Sequence, residues 1–483
     1  MKRSIVLYLS AFFISGLVWS SCKTPAITSG ENAAKLPNSF PTQSSSDTVS
    51  AASMSWKSYY KDPQLIALIE KGLQNNLDLK QFTQRMKSAE AEWLRASGAM
   101  RPTVQPMLTT SIRRFGLYTM DGAGNIVTDI VPGKIVPIDL PDYWVAFQSS
   151  WEADLWGKLK NRKKAAIAQF FASREGKNLF TTILISEIAS AYFTLQSLDE
   201  TIQIIDNTIQ LQEQAFEVIK IQKQAAAATE LAVKQFEAQL LNTKALRWEI
   251  VTQQIETENL ICQLIGGFPE KIQRGSQFFL PQMEKTVNVG IPSSLLEKRP
   301  DIRQASFQVA AAKMNAEAAR KAFLPSFQIN AMIGFQAFRP DLLFRMPESI
   351  AYSLIGGLTA PLVNKAGIKA QFEQANANQL EILYQYQYQV IKAYAEVYNE
   401  MVRLKNLDQA FELKKREVET SLAAVDISRD LFRTARAGYI EILYAQQSAL
   451  QTQLQLVDNR RKQLLAKVHL YRALGGGWDE IGN

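Results

Sequence analysis

A chain of 483 residues can bury a large core and, at the usual domain size, suggests roughly two to four domains. With 47% hydrophobic and 21% charged residues it is not disordered in composition, and its net charge of +8 is spread along the chain, which argues against nucleic-acid binding. Two cysteines (Cys22, Cys262) and a single histidine (His469) argue against a zinc site, a Cys/His nucleophile pair and a His-based triad.

The amino terminus carries the first sharp signal. Lys2 and Arg3 precede an apolar run from Ile5 to Trp19, and small residues follow, which is the pattern of a secretory signal peptide. The run is too short and wrongly flanked for a spanning helix. Leu17-Val18-Trp19-Ser20-Ser21-Cys22 resembles a bacterial lipobox, in which the cysteine becomes the acylated first residue of the mature chain. Each buried CH₂ of an acyl chain contributes about 0.8 kcal/mol, so several chains on Cys22 make a firm anchor. Lipidated Cys22 cannot pair with Cys262, which reads as a small buried hydrophobe in a helical stretch. From Lys23 to about Ser55 the chain is rich in Ser, Thr, Pro and Ala without a period and reads as a tether.

The body reads as a duplicated unit whose features recur about 210 to 220 residues apart. A helical stretch (Leu65 to Met100) ends at Arg101-Pro102, and two strand-like runs and a very long helical region follow. A second helical stretch (Ile302 to Ala322) ends at Leu324-Pro325, and the order repeats. No proline occurs between Leu155 and Phe268 or after Pro361, and both stretches are dense in good helix formers. Weak points at Ala225–Thr229 and Ala435–Gly438 make each stretch a helical hairpin. Each ends in a glycine stop, at Gly266-Gly267 and Gly475-Gly476-Gly477. An arm of about 65 residues runs on the order of 100 Å and has to lie along others like it.

The strand-like runs differ in character. Phe327, Ile329, Ala331, Ile333, Phe335 and Ala337 alternate with Gln328, Asn330, Met332, Gly334 and Gln336, so one face is apolar and the other largely polar. Tyr143 to Trp151 alternates less cleanly. At about 10 to 13 residues these runs suit tilted membrane strands. Tyr143, Trp144, Trp151, Trp156, Tyr352 and Phe338 fall near their ends, as an aromatic girdle requires. A sheet in lipid must close, and single-chain barrels need at least about eight strands. This chain offers two pairs, so it must share a barrel with copies of itself.

Ile291-Pro292-Ser293-Ser294-Leu295-Leu296-Glu297-Lys298-Arg299-Pro300-Asp301-Ile302 closely resembles a signature of the outer-membrane factors of tripartite efflux pumps, a TolC-like family, in its OprM/NodT-like lipoprotein branch. Trp151–Lys158, Ala322–Ser326, Thr359–Leu362 and Ala473–Trp478 match further, and together these segments span nearly all of the mature chain. The physical reading of these motifs is structural. Pro300 suits the first turn of a helix and Asp301 its positive end. Pro325 and Pro102 stop helices where strands begin, Pro361 belongs to the matching segment, and Gly157 and Gly367 permit strand-to-helix turns.

The resemblance implies a fold that is mainly α with a membrane β-barrel: a homotrimer of the duplicated strand-strand and long helical hairpin unit, forming a twelve-stranded barrel and an α-helical tunnel. It implies a passive outer-membrane exit duct in a Gram-negative bacterium, with a periplasmic adaptor and an inner-membrane pump of the RND type as partners, outer-membrane lipids around it, and no cofactor. The expected organisation is a signal peptide (1–21), anchor and tether (22–61), first repeat (62–266), an equatorial inter-repeat segment (267–299), second repeat (300–474) and tail (475–483). The helix tips at 225–230 and 435–441 are expected to meet the adaptor. Relatives narrow the closed end with acidic residues above the second tip. Here the matching positions, about Tyr444 and Gln447, are not acidic, and Glu441, Glu230 and Asp430 are the candidates for such a ring. Lys158, Lys160, Arg162, Lys163 and Lys164 crowd a helix start, where the dipole disfavours cations, and are expected to meet lipid phosphates or pair with Glu152 and Asp154. The alternative weighed is a lipid-anchored coiled-coil adaptor without a barrel, and the alternating strands argue against it. No nucleotide loop, metal spacing or paired-carboxylate site stands out, so an enzyme is not expected.

Overall fold

The strand-strand-hairpin order is present twice. The computed structural model describes residues 24–28, 30, 36–40, 53–275, 278–280, 283, 289–360, 366–434 and 436–478. The signal peptide, Cys22 and Pro361 lie outside the described residues. In the first half, α1 (Trp56–Tyr59), α2 (Pro63–Asn75) and α3 (Leu77–Gly98) lead to β1 (Thr103–Arg114). A short helix α4 (Met120–Val127) and a small ribbon, β2 (Asp129–Val131) with β3 (Lys134–Ile135), precede β4 (Asp139–Ala153). Then come α5 (Lys158–Gln224) and α6 (Glu230–Leu264). In the second half, α7 (Ser294–Lys298) and α8 (Pro300–Lys321) precede β5 (Ser326–Ala337), β6 (Ile350–Thr359), α9 (Ala366–Arg433) and α10 (Tyr439–Ala473).

The hairpins match in proportion: 67 and 35 residues in the first, 68 and 35 in the second. Their ends use one local device. At Gly266 and Gly475 the chain turns left-handed (φ +71 and +88). There the N–H groups of Gly267 and Gly476 close onto the carbonyls of Cys262 and Tyr471 at 2.8 and 3.1 Å. This is the Schellman arrangement, in which a glycine takes the residue past the helix. The first tip repeats it with an alanine: Ala226 has φ 58, and the Ala227 N–H donates to the Gln222 carbonyl at 2.8 Å.

The chain divides into two units. One is built on Ser88–Phe170 and Gln308–Leu383 and contains the four-stranded antiparallel sheet, in the order β1-β4-β5-β6. The other is built on Asn32–Lys87, Phe171–Phe307 and Tyr384–Asn483, and its core is helical. There Leu184, Ile185, Ile188, Tyr192, Phe193 and Leu195 of α5 are fully buried, so the most apolar part of that helix is core. Tyr471 of α10 stacks on Tyr59 at 4.2 Å between ring centres.

Three expectations change. The stretch Leu65 to Met100 is two helices, because Asn76 interrupts it. The Asn76 side chain accepts from the Leu79 N–H at 2.8 Å and donates to the Leu264 carbonyl at 2.9 Å, starting α3 afresh. The tether is not wholly loose: Phe40 is buried and stacks on Tyr394 at 5.1 Å, and Thr28 and Asn376 exchange hydrogen bonds at 3.0 Å. Gly367 is the second residue of α9 and has no left-handed φ, so it does not make the turn after β6. Gly157 does make its turn, at φ +79.

Candidate channel wall, helix tips and junction clamp

Register across the sheet sorts side chains onto two faces. Pro106, Phe147, Ile333 and Tyr352 form one cross-strand row, and Leu108, Val145, Phe335 and Ile350 form the next. Val104, Ser149, Ala331 and Leu354 continue the same face. It is almost wholly apolar and lies bare: Leu108 is 84% exposed and Tyr352 80%. The opposite face carries Gln105, Gln148, Met332 and Ser353 in one row and Thr103, Ser150, Asn330 and Ile355 in another. Ser150 donates to the Asn330 side chain across it at 2.9 Å. An apolar face suits hydrocarbon and a polar face suits water. The outer edges of β1 and β6 have no partner strand among the described residues, which lipid does not tolerate.

At the other end of the long helices the hairpins pack tip to tip. Ile219, Ala232, Val233, Phe236 and Ile442 form a small core, covered by Phe216, Phe432 and Tyr439. Thr229 caps α6 by accepting from the Ala232 N–H at 3.2 Å, and Glu230 in its first turn pairs with Lys223 across the tip. That lysine holds the Glu230 carboxyl below the usual range. Glu441 occupies the first turn of α10, and its carboxylate is 3.0 Å from where a side chain on Gly438 would begin. Asp430 is exposed on α9, and Tyr444 is 73% exposed on α10. No hydrogen bond or ion pair joins these four among the described residues.

Arg299, Pro300 and Asp301 form a clamp. Pro300 begins α8 with Asp301 in its first turn, as their residue types dictate. Arg299 is 7% exposed, and its guanidinium donates to Asp301 at 2.7 and 3.0 Å and to Glu396 at 2.9 Å. Burial works against the Asp301 charge, but the bonds from Arg299 and Gln389 override it and hold the carboxyl below its ordinary value. Gly475 closes the clamp: a side chain there would start 2.6 Å from the Lys298 carbonyl. Pro325 stands between α8 and β5, and its carbonyl accepts from the Trp156 indole at 2.7 Å.

Two ion networks escaped the sequence. Glu175, 0% exposed, pairs with Arg303 at 2.8 Å, and Arg274 reaches both Asp199 and Glu258 at 2.5 Å. Their partners lie far apart in the chain, and no local pattern marks them.

A family model described as outer membrane efflux protein matches residues 68–267 and 291–476. The pyoverdine export outer membrane protein OpmQ of Pseudomonas putida is 27% identical over 424 residues, 88% of either chain. The probable outer membrane lipoprotein SilC of Salmonella typhimurium is 26% identical, again covering 88% of both. Among solved structures, a membrane protein from Pseudomonas aeruginosa superposes with a TM-score of 0.86 at 23% identity, covering 95% of this chain and 99% of that one. The open state of the Neisseria gonorrhoeae MtrE outer membrane channel gives 0.81 at 22% identity, over 94% and 99%.

Proposed function

The chain belongs to the outer membrane efflux protein family, whose members are transport ducts, and we propose that it forms, as a homotrimer, the passive exit duct of a tripartite pump. Its place is the outer membrane, as a channel subunit of an efflux system with a TolC-like fold. One observation supports the trimeric reading above others: a four-stranded sheet with an apolar face, a polar face and two open edges is too small to close alone. Three copies supply twelve strands. The polar rows through Gln105 and Ser150 then line the water-filled bore. Lipidation at Cys22, the adaptor at the hairpin tips, and an inner-membrane pump of the RND type complete this reading, in which the duct catalyses nothing. The repeats are taken as 62–266 and 300–474, with 267–299 between them. The motif residues Arg299, Pro300, Asp301, Gly157, Pro325, Pro361 and Gly475 shape the duct. Glu441, Glu230, Asp430 and Tyr444 are the gate candidates, and the Glu230–Lys223 pair leaves Glu441 and Asp430 as the less compensated carboxylates. The mass of the detergent-extracted protein by light scattering tests the assembly: three chains support it, and a single chain contradicts it.

A further inference from the structure

The end of the sheet where strands meet helices carries a strong positive bias. Arg101 lies between α3 and β1, Lys160, Arg162, Lys163 and Lys164 open α5 after β4, and Lys321 ends α8 before β5. None of these six makes an ion pair among the described residues. The carboxylates close by are already engaged. Glu152 pairs with Lys158 at 2.5 Å, Asp154 accepts from the backbone N–H groups of Leu159 and Lys160 at 3.0 and 2.7 Å, and Glu373 faces Lys369 at 3.6 Å. At the opposite end of the sheet carboxylates offset part of the positive charge, with Arg339 on Asp341 at 2.8 Å and Arg114 facing Asp139 at 3.7 Å.

The helix starts show the same bias. Of the helices that begin in the other unit, α6, α8 and α10 place Glu230, Asp301 and Glu441 in their first turns, as the dipole favours. The two that leave the sheet, α5 and α9, have no acidic residue in the first turn, and Asp154 reaches the start of α5 from outside it. Cations at a helix start oppose the dipole, so helix stability does not favour them there. Trp151 and Trp156 lie at the same level, their indoles held by the Met100 and Pro325 carbonyls at 3.1 and 2.7 Å, as interfacial tryptophans are. A cleft of about 430 Å³ lies beside these cations, lined by Trp156, Lys321 and Pro325 together with the Lys158–Glu152 pair and Asp154.

We propose that this collar binds the anionic headgroups of phospholipids in the leaflet on the helix side of the barrel. The collar rests on the reading of the sheet as part of a membrane barrel. Long cationic side chains there lay their stems along apolar surface and put their charges at phosphate depth. In a trimer the six cations recur three times around the wall, so the collar fixes how deep the barrel sits.

Native mass spectrometry of the detergent-extracted protein, titrated with phosphatidylglycerol or phosphatidylcholine, tests this, with bilayer conductance recorded in parallel. The parent is expected to prefer phosphatidylglycerol. Lys160→Gln/Arg162→Gln/Lys164→Gln is expected to lose that preference, by on the order of a hundredfold at about fivefold per surface cation, while still conducting. Arg339→Gln/Arg345→Gln, at the other end of the sheet, is expected to keep it. So is Lys160→Arg/Lys164→Arg, which guards against misfolding as the cause. Unchanged preference in the triple variant, equal loss in both Gln variants, or displacement of the lipid by millimolar inorganic phosphate overturns the proposal. A parent that binds the lipid but neither inserts nor conducts overturns the duct reading instead.

Discussion

The Arg299 guanidinium donates to the carbonyl of Ala473 at 2.6 Å, joining the residue just before the second repeat to the last residue of that repeat's final helix. The same side chain neutralises Asp301 and shares Glu396 with Arg472, so its removal strands the Asp301 carboxylate in a poorly solvated place and leaves Glu396 with Arg472 alone. Arg299→Ala is expected to cost about 3–5 kcal/mol, the usual penalty for breaking a buried pair from one side. Helical circular dichroism during chemical unfolding reads this directly. A loss below about 1 kcal/mol would mean that the clamp contributes little.

Two glycines separate backbone strain from crowding. Gly157 and Gly475 both have left-handed φ, but a side chain at Gly157 meets open space, whereas at Gly475 it meets the Lys298 backbone. Gly157→Ala should therefore cost only the backbone term, about 1–2 kcal/mol, and Gly475→Ala clearly more. Equal melting temperatures for the two variants would contradict this.

His469 is the only histidine, which makes its titration easy to isolate. Burial, with Arg472 and Arg403 nearby, pushes its pKa below the ordinary value, while Glu396 pulls weakly the other way. The unfolded chain therefore binds the proton more readily than the folded one. Stability should fall as pH drops from the unfolded value, about 6.5, to the lower folded one, and level off below it. His469→Gln should remove that step. A variant that keeps the parent's pH profile through this window would contradict the assignment.

Glu441 stands in the first turn at the second tip without an ion-pair partner among the described residues. If it contributes a ring of charge around a trimeric opening, Glu441→Ala should weaken block by multivalent cations in single-channel recordings. Glu230→Ala should do less, because Lys223 already balances that carboxylate. Unchanged cation block in Glu441→Ala would remove it from the gate.

What was legible in the chain was whatever local chemistry decides. The alternation of Phe327 to Ala337 set the faces of β5, the glycines set the hairpin ends at Gly266 and Gly475, and the absence of proline set the long helices. Distant partners decided the rest. Asn76 breaks a helix because its side chain finds both Leu79 and Leu264, and Phe40 docks because Tyr394 offers a ring. Ala226 adopts a conformation that its residue type disfavours, because the Ala226 and Ala227 N–H groups close onto the Lys223 and Gln222 carbonyls at 2.9 and 2.8 Å. Gly367 misled because glycine tolerates a left-handed turn without requiring one.

Gln105 and Leu108 lie on one strand and face opposite sides of the sheet, so they report which side is wet. Cys262 is buried, so an introduced thiol stands out against a quiet background. During bilayer recording, a membrane-impermeant, bulky thiol reagent should react with Gln105→Cys and reduce the current, and leave Leu108→Cys conducting as before. Reaction and block at Leu108→Cys with none at Gln105→Cys, or no current from the parent at all, would contradict a polar-faced pore built from this sheet.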